Sequence, residues 1–194
     1  VCSVASSCPG MAVAPGIHSG NTSAALSEIP DYEGWQATGK EQIYHIDVPD
    51  GYFVKGILNA PFDGVLAMTD SCPPVAGSLL AAADYYAGGT EEKTYWFNDT
   101  GATVTVYIAV DGYTVADEGG YTLEIILAQP LSASAASAIA FNEYFAYPAG
   151  TDDVRHEWVE LYHGGVNHIN LNGCRFVTDS IDQTINANLI VSPG

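Results

Sequence analysis

Three kinds of residue in this chain have types and spacings that could do chemistry: a histidine–carboxylate run, clustered acids and cysteines. His156-Glu157-Trp158-Val159-Glu160 comes within one residue of the His-Glu-x-x-His zinc signature. That signature needs a helix, which places both histidines on one face with the glutamate as base. Here the fifth residue is Glu160 and the run alternates like a strand, so a metalloprotease centre is not expected. His156, His163 and His168 lie close in sequence and could hold a transition metal between strand ends, with exposed loop histidines as the alternative. Acids gather at Asp111, Asp117 and Glu118, at Glu91 and Glu92, and at Asp152 and Asp153. Loops of this kind supply the hard oxygen ligands of Ca2+. None has EF-hand spacing. Asp111, Asp117 and Glu118 form the candidate set for a structural Ca2+, and solvated acidic loops are the alternative.

The four cysteines are Cys2, Cys8, Cys72 and Cys174. No two form a Cys-x-x-Cys pair, which argues against a zinc knuckle or a thioredoxin-like site. An even count beside an acidic surface points to disulfides in an oxidising compartment. An N-terminal cysteine bonded to Cys72 would tie a terminal segment to a loop. Cys174 could pair with the cysteine left over, and a buried free thiol is the alternative. No nucleophile elbow, phosphate loop or dinucleotide fingerprint is present, and nothing orders Ser, His and Asp into a triad. An enzyme is not expected, and no catalytic residue is assigned.

Two further patterns bear on binding. Aromatic residues cluster at Tyr85-Tyr86, Tyr95-Trp96-Phe97, Tyr144-Phe145 and Tyr147. Such side chains stack on sugar rings or fill an interface, although most belong inside a β-sandwich. Asn21-Thr22-Ser23 and Asn98-Asp99-Thr100 are glycosylation sequons that also read as turns.

Composition limits the partners. The formal net charge is −18, and Lys40, Lys55, Lys93, Arg155 and Arg175 are the complete basic set. Five scattered cations cannot build a basic patch, which excludes nucleic acid and anionic membrane surfaces as partners. No apolar run reaches the roughly 18 residues needed to span a bilayer. No basic segment precedes a hydrophobic one, so any secretory leader is expected to have been removed.

The elements that must position these residues read as strands. Residues 42–48 alternate, with Ile43, His45 and Asp47 on one face and Tyr44, Ile46 and Val48 on the other. Pro49-Asp50-Gly51 is a turn. Further strands are expected at 52–58, 65–69, 94–98, 103–110 and 121–127, each bounded by Gly, Pro, Asp or Asn. Residues 1–30 are rich in Ser, Ala, Gly and Pro, and their short apolar pieces at 11–13 and 24–26 read as edge strands or an extended arm. Residues 79–87 read as a helical turn or a loop. Residues 129–138 read as an Ala/Ser linker, with a short helix as the alternative, between a domain at 1–128 and a second at 139–194. In the second, strands are expected at 139–147, 156–162, 168–171 and 189–191. The fold class is all-β: a jelly-roll or immunoglobulin-like sandwich followed by a partial immunoglobulin-like module.

The order of motifs in residues 1–128 resembles the bacterial pre-peptidase C-terminal domain. It runs Gly20-Asn21-Thr22-Ser23, Gln42-Ile43-Tyr44-His45-Ile46, Pro49-Asp50-Gly51-Tyr52, Phe62-Asp63-Gly64-Val65-Leu66 and Asp70-Ser71-Cys72. It closes with Tyr107 to Tyr113 and with Gly119-Gly120-Tyr121-Thr122-Leu123-Glu124-Ile125. Phe141-Asn142-Glu143-Tyr144, Glu157 to Tyr162 and Asn170-Leu171-Asn172-Gly173 are similar to the first half of a lamin-tail domain. Gly173-Cys174 stands where that family has Gly-Trp. The remaining strands of the pattern would lie beyond Gly194 or come from a neighbouring chain.

These resemblances imply a non-catalytic structural or adhesion module of a secreted or cell-surface bacterial protein. Other protein chains, extracellular matrix or polysaccharide are the expected partners. One alternative is a filament subunit that polymerises into a homo-polymer by strand donation. Another is an accessory carbohydrate-binding region of a secreted hydrolase. No cofactor is expected beyond the candidate Ca2+.

Overall fold

Short alternating runs separated by turn residues can satisfy their backbones only by pairing with one another, and the chain does this throughout. The computed structural model describes residues 8–29, 31–131, 138–145, 158–177 and 182–194. Among these the fold is all-β and sandwich-like, with one 3-10 turn at Thr22–Ala24. The chain separates into two units, Val1–Leu127 and Ala128–Gly194.

The first unit contains β1 (Met11–Ala12), β2 (Gly16–Asn21), β3 (Asp31–Tyr32), β4 (Trp35–Gln36), β5 (Gln42–Val48) and β6 (Phe53–Asn59). It continues with β7 (Gly64–Thr69), β8 (Leu79–Ala83), β9 (Glu92–Phe97), β10 (Val104–Gly112) and β11 (Gly120–Pro130), whose last three residues belong to the second unit. One sheet runs β1-β5-β10-β7-β8, and in the other β9 and β11 flank β6 while β2 pairs with β11. Between them lies the main core, where Tyr44, Ile46 and Val48 of β5 meet Val54 and Leu58 of β6 and Leu123 and Ile125 of β11. A second core of Ile29, Tyr32, Ala37, Ile43, Val65, Ala67 and Ala109 covers the opposite face of the first sheet. β7 is therefore buried along its whole length. Within the main core the Tyr44 and Tyr121 hydroxyls lie 2.8 Å apart, and Tyr121 donates onward to Gln42 Oε1 at 2.6 Å. Burial pushes the Tyr121 hydroxyl far above its ordinary range.

Two elements differ from the sequence expectation. Residues 79–83, expected as a helical turn or loop, form β8, paired antiparallel with β7. Gln129 and Pro130, expected in a linker, continue β11. Asp111-Gly112 is extended as the end of β10. The glycine is needed there for close approach, because a Cβ on Gly112 would lie 2.0 Å from the Asp117 carbonyl oxygen.

The second unit holds β12 (Ile139–Phe145) and β13 (Trp158–His163), antiparallel with a bulge between Phe141 and Glu143. β14 (Ile169–Asn170) runs parallel to Gln129 and Pro130 of β11 and antiparallel to β17 (Ile190–Val191). β15 (Arg175–Val177) pairs with β16 (Asp182–Thr184). Ile169, Leu171 and His163 are buried.

Candidate functional site: an aromatic cleft in the first unit

The loop that leaves β8 and enters β9 carries Asp84, Tyr85, Tyr86, Gly88, Gly89, Thr90 and Glu91. Its two tyrosines are 65% and 57% exposed. Their backbone is nonetheless fixed. Glu92, 2% exposed at the start of β9, accepts the Tyr85 N–H at 3.0 Å and the Tyr86 N–H at 2.7 Å, both on Oε1. Charge-assisted bonds of this kind are stronger than neutral ones. The far end of the loop is fixed by close packing. Gly89, at φ 90°, donates to the Ala60 carbonyl at 2.9 Å. A Cβ on Gly88 would lie 2.6 Å from the Phe62 carbonyl carbon and 2.8 Å from the Pro61 carbonyl oxygen.

A third aromatic side chain completes the surface. Trp35 meets Tyr85 edge to face, with ring centres 5.7 Å apart at 90°. It stands on the β3–β4 hairpin, whose turn residues Glu33 and Gly34 have φ of 52° and 96°. Two central residues at positive φ are the pattern of a primed turn, whose twist suits a hairpin. Glu33 Oε1 accepts the Leu79 N–H at 2.9 Å, which ties the hairpin to β8. Tyr32 is buried and donates its hydroxyl to Asp111 Oδ2 at 3.1 Å. Three carboxylates, Glu33, Asp111 and Glu92, therefore hold the platform from below.

Tyr85 and Tyr86 face an open cleft of about 430 Å³, together with Thr90, Glu91 and Lys93. Glu91 bridges Lys93 at 2.5 Å and accepts from Asn59 Nδ2 at 3.2 Å. Those two partners hold its carboxyl below the ordinary range. Aromatic faces beside a row of hydroxyl, carboxylate, ammonium and amide groups suit a ligand with apolar faces and hydroxyl edges.

The acids singled out from the sequence have separate partners. Asp111 has no exposed surface and accepts from Tyr32 and from its neighbour Gly112 N–H at 2.7 Å. Burial and then the charge of Glu41 push its carboxyl from 3.8 up to about 7. Asp117 accepts the N–H and hydroxyl of Thr114 at 2.9 and 2.6 Å. Glu118 pairs with Lys40. Among the described residues no group of three or more His, Cys, Asp or Glu converges as a ready-made metal site.

The other candidates fall as follows. Cys8 and Cys72 form a disulfide across 64 residues of sequence. Cys174 carries a free, half-buried thiol. His163 donates from Nε2 to the Asn167 carbonyl at 2.7 Å, and His168 Nδ1 lies 3.2 Å from the Ser192 hydroxyl. Trp158, Val159 and Glu160 belong to strand β13. Cys2, Tyr147, Asp152, Asp153, His156 and Glu157 lie outside the described residues. Asn21 is exposed and its side chain accepts the Ser23 N–H at 2.8 Å. Asn98 has no exposed surface, and its amide donates to the Val48 and Ala102 carbonyls at 2.8 and 2.7 Å.

Comparison of the chain with protein-family models, with curated proteins and with solved structures finds no match in any of the three. Among the described residues no helix is long and apolar enough to cross a membrane.

Proposed function

We propose that the chain is a non-catalytic, extracellular adhesion module that holds a polysaccharide against Trp35, Tyr85 and Tyr86. One observation carries this reading: two tyrosines, more than half exposed, stand on a backbone pinned by the buried Glu92 carboxylate. Large apolar side chains left in water on a rigid support have their contact geometry fixed before the ligand arrives, which lowers the ordering cost of binding. The Cys8–Cys72 disulfide and the acidic surface support an oxidising, extracellular setting. The order of motifs like that of the pre-peptidase C-terminal domain supports an accessory rather than a catalytic role.

Charge narrows the ligand. Lys93 is the one cation lining the cleft and is already paired with Glu91, on a chain of net charge −18. A neutral glycan is favoured over a uronate polymer, which the acidic surface repels. The test is sedimentation with insoluble cellulose, chitin and xylan and affinity electrophoresis in soluble glucans, with alginate as the acidic comparison. Tyr85→Ala and Tyr86→Ala are each expected to weaken neutral-glycan binding about tenfold, the loss of one stacking contact. Retention by alginate alone, or neutral-glycan binding unchanged in both variants, overturns the proposal.

A further inference from the structure

We infer that the cleft is one end of a longer binding track, so that the ligand is read as an extended run of linked sugars and not as a single ring. This rests on the glycan reading and names the form in which the glycan is taken. The track follows the outward side of β9. Every second side chain of a strand shares a face. Glu92 and Thr94 of β9 are buried, which turns Glu91, Lys93 and Tyr95 outward in a line. The salt bridge between Glu91 and Lys93 shows that their side chains meet on that face. Both line the cleft beside Tyr85 and Tyr86. Tyr95 is the next outward residue and is 58% exposed.

β6 supplies the other side of the track. Its register with β9 sets Ile57 opposite Lys93 and Lys55 opposite Tyr95. Asn59, at the end of β6, donates to Glu91 at 3.2 Å. Phe53 is buried and packs its ring against that of Tyr95, with centres 5.3 Å apart at 30°. The Tyr95 ring is thus supported by the core while much of the residue stays in water. Lys55 is half-buried beside it and makes no salt bridge among the described residues, which leaves its N–H donors to hydroxyl groups. From Glu91 to Tyr95 the chain advances roughly 13 Å, at about 3.3 Å per residue, more than one pyranose ring spans. A glycan laid along β9 therefore meets an aromatic face at each end, with Asn59, Glu91 and Lys93 between them. A single stacking contact in open water is weak. Once one ring is seated, the glycosidic linkage holds a later ring at high local concentration over the second platform. A disaccharide stacks on one end at a time, and a longer chain stacks on both. Placing the second aromatic on a paired strand fixes the spacing that the ligand must match.

The test uses the full chain and calorimetric titration with cello-, xylo- and chito-oligosaccharides of two to six units. In the series that binds, the hexasaccharide is expected to bind at least about tenfold more tightly than the disaccharide, the gain of one further stacking contact. This length dependence is read on the parent and needs no variant to fold. Tyr95→Ala is expected to remove the gain, so that the two lengths bind alike. Tyr95→Phe keeps the ring and its contact with Phe53 and is expected to keep the gain. Equal binding of disaccharide and hexasaccharide by the parent overturns the inference. A length dependence that Tyr95→Ala leaves intact overturns it as well. Both of these outcomes leave the glycan reading standing. Absence of binding by the neutral polymers and by every length of oligosaccharide overturns the glycan reading itself, and the track falls with it.

Discussion

Asp111 links the proton equilibrium of one side chain to the stability of the platform above it. Its carboxyl is raised from 3.8 to about 7, first by burial and then by Glu41. A raised carboxyl keeps its proton in the folded chain at pH values where the unfolded chain has released it. Its favourable contribution is therefore complete below about pH 4 and is lost as pH rises through about 7. Asp111→Asn, which cannot ionise, is expected to remove that slope. The difference between parent and variant in urea-unfolding free energy should change by up to about 4 kcal/mol between those two pH values. A constant difference would show that Asp111 titrates normally. None of this is visible in the sequence, where Asp111 reads as one of three loop acids. Glu91 and Glu92 make the same point. They are adjacent and chemically alike, yet one is exposed in a bridge to Lys93 and the other is buried under the tyrosines. Residue type does not record which of two neighbours a strand turns inward.

At the level of elements, β5, β6, β7, β10 and β11 were legible because apolar alternation and turn residues agreed there. β8 was not. Leu79-Leu80-Ala81-Ala82-Ala83 favours helix by propensity, and its ladder with β7 overrides that preference. β2 was hidden by its glycines and polar residues and is a strand through its pairing with β11. The β3–β4 hairpin was missed because its strands are two residues each and its turn is Glu-Gly, not Asn-Gly. The site was accordingly half legible. Tyr85 and Tyr86 stood out as aromatic, whereas Trp35, Glu33 and Glu92 depend on contacts distant in sequence. The glycine pair that ends the tyrosine loop gives a prediction at this scale. Gly88→Ala places a methyl group 2.6–2.9 Å from backbone atoms of Pro61, Phe62 and Asp63, which cannot rotate away. It is expected to cost about 1–3 kcal/mol in stability, read by urea unfolding. It should also weaken glycan binding while leaving Tyr85 and Tyr86 unchanged in type.

Taken whole, the molecule joins an acidic surface to a first unit whose described residues hold two cores and one cross-link. The net charge of −18 selects against acidic partners, and the Cys8–Cys72 bond fixes the N-terminal segment to the loop after β7. By loop-closure entropy a cross-link of this span stabilises by about 4 kcal/mol. Removing it should therefore unfold the first unit at milder denaturant. The buried amide of Asn98 has a consequence for how the chain must be produced. Glycosylating enzymes reach a sequon while the polypeptide is still extended. A glycan attached there would replace one of the two amide hydrogens, severing at least one carbonyl bond, and could not enter the space that the amide occupies. In a host with that machinery, molecules modified at Asn98 are expected to be retained as misfolded. The secreted product should carry sugar at Asn21 alone, which intact-mass measurement would reveal. Asn98→Gln would not rescue yield, because the longer side chain loses the same two bonds, whereas Thr100→Ala abolishes the sequon and keeps both donor bonds of the amide, at the loss of the Thr100 hydroxyl bond to Asn98 Oδ1. The choice of host thus competes directly with folding at a single buried nitrogen.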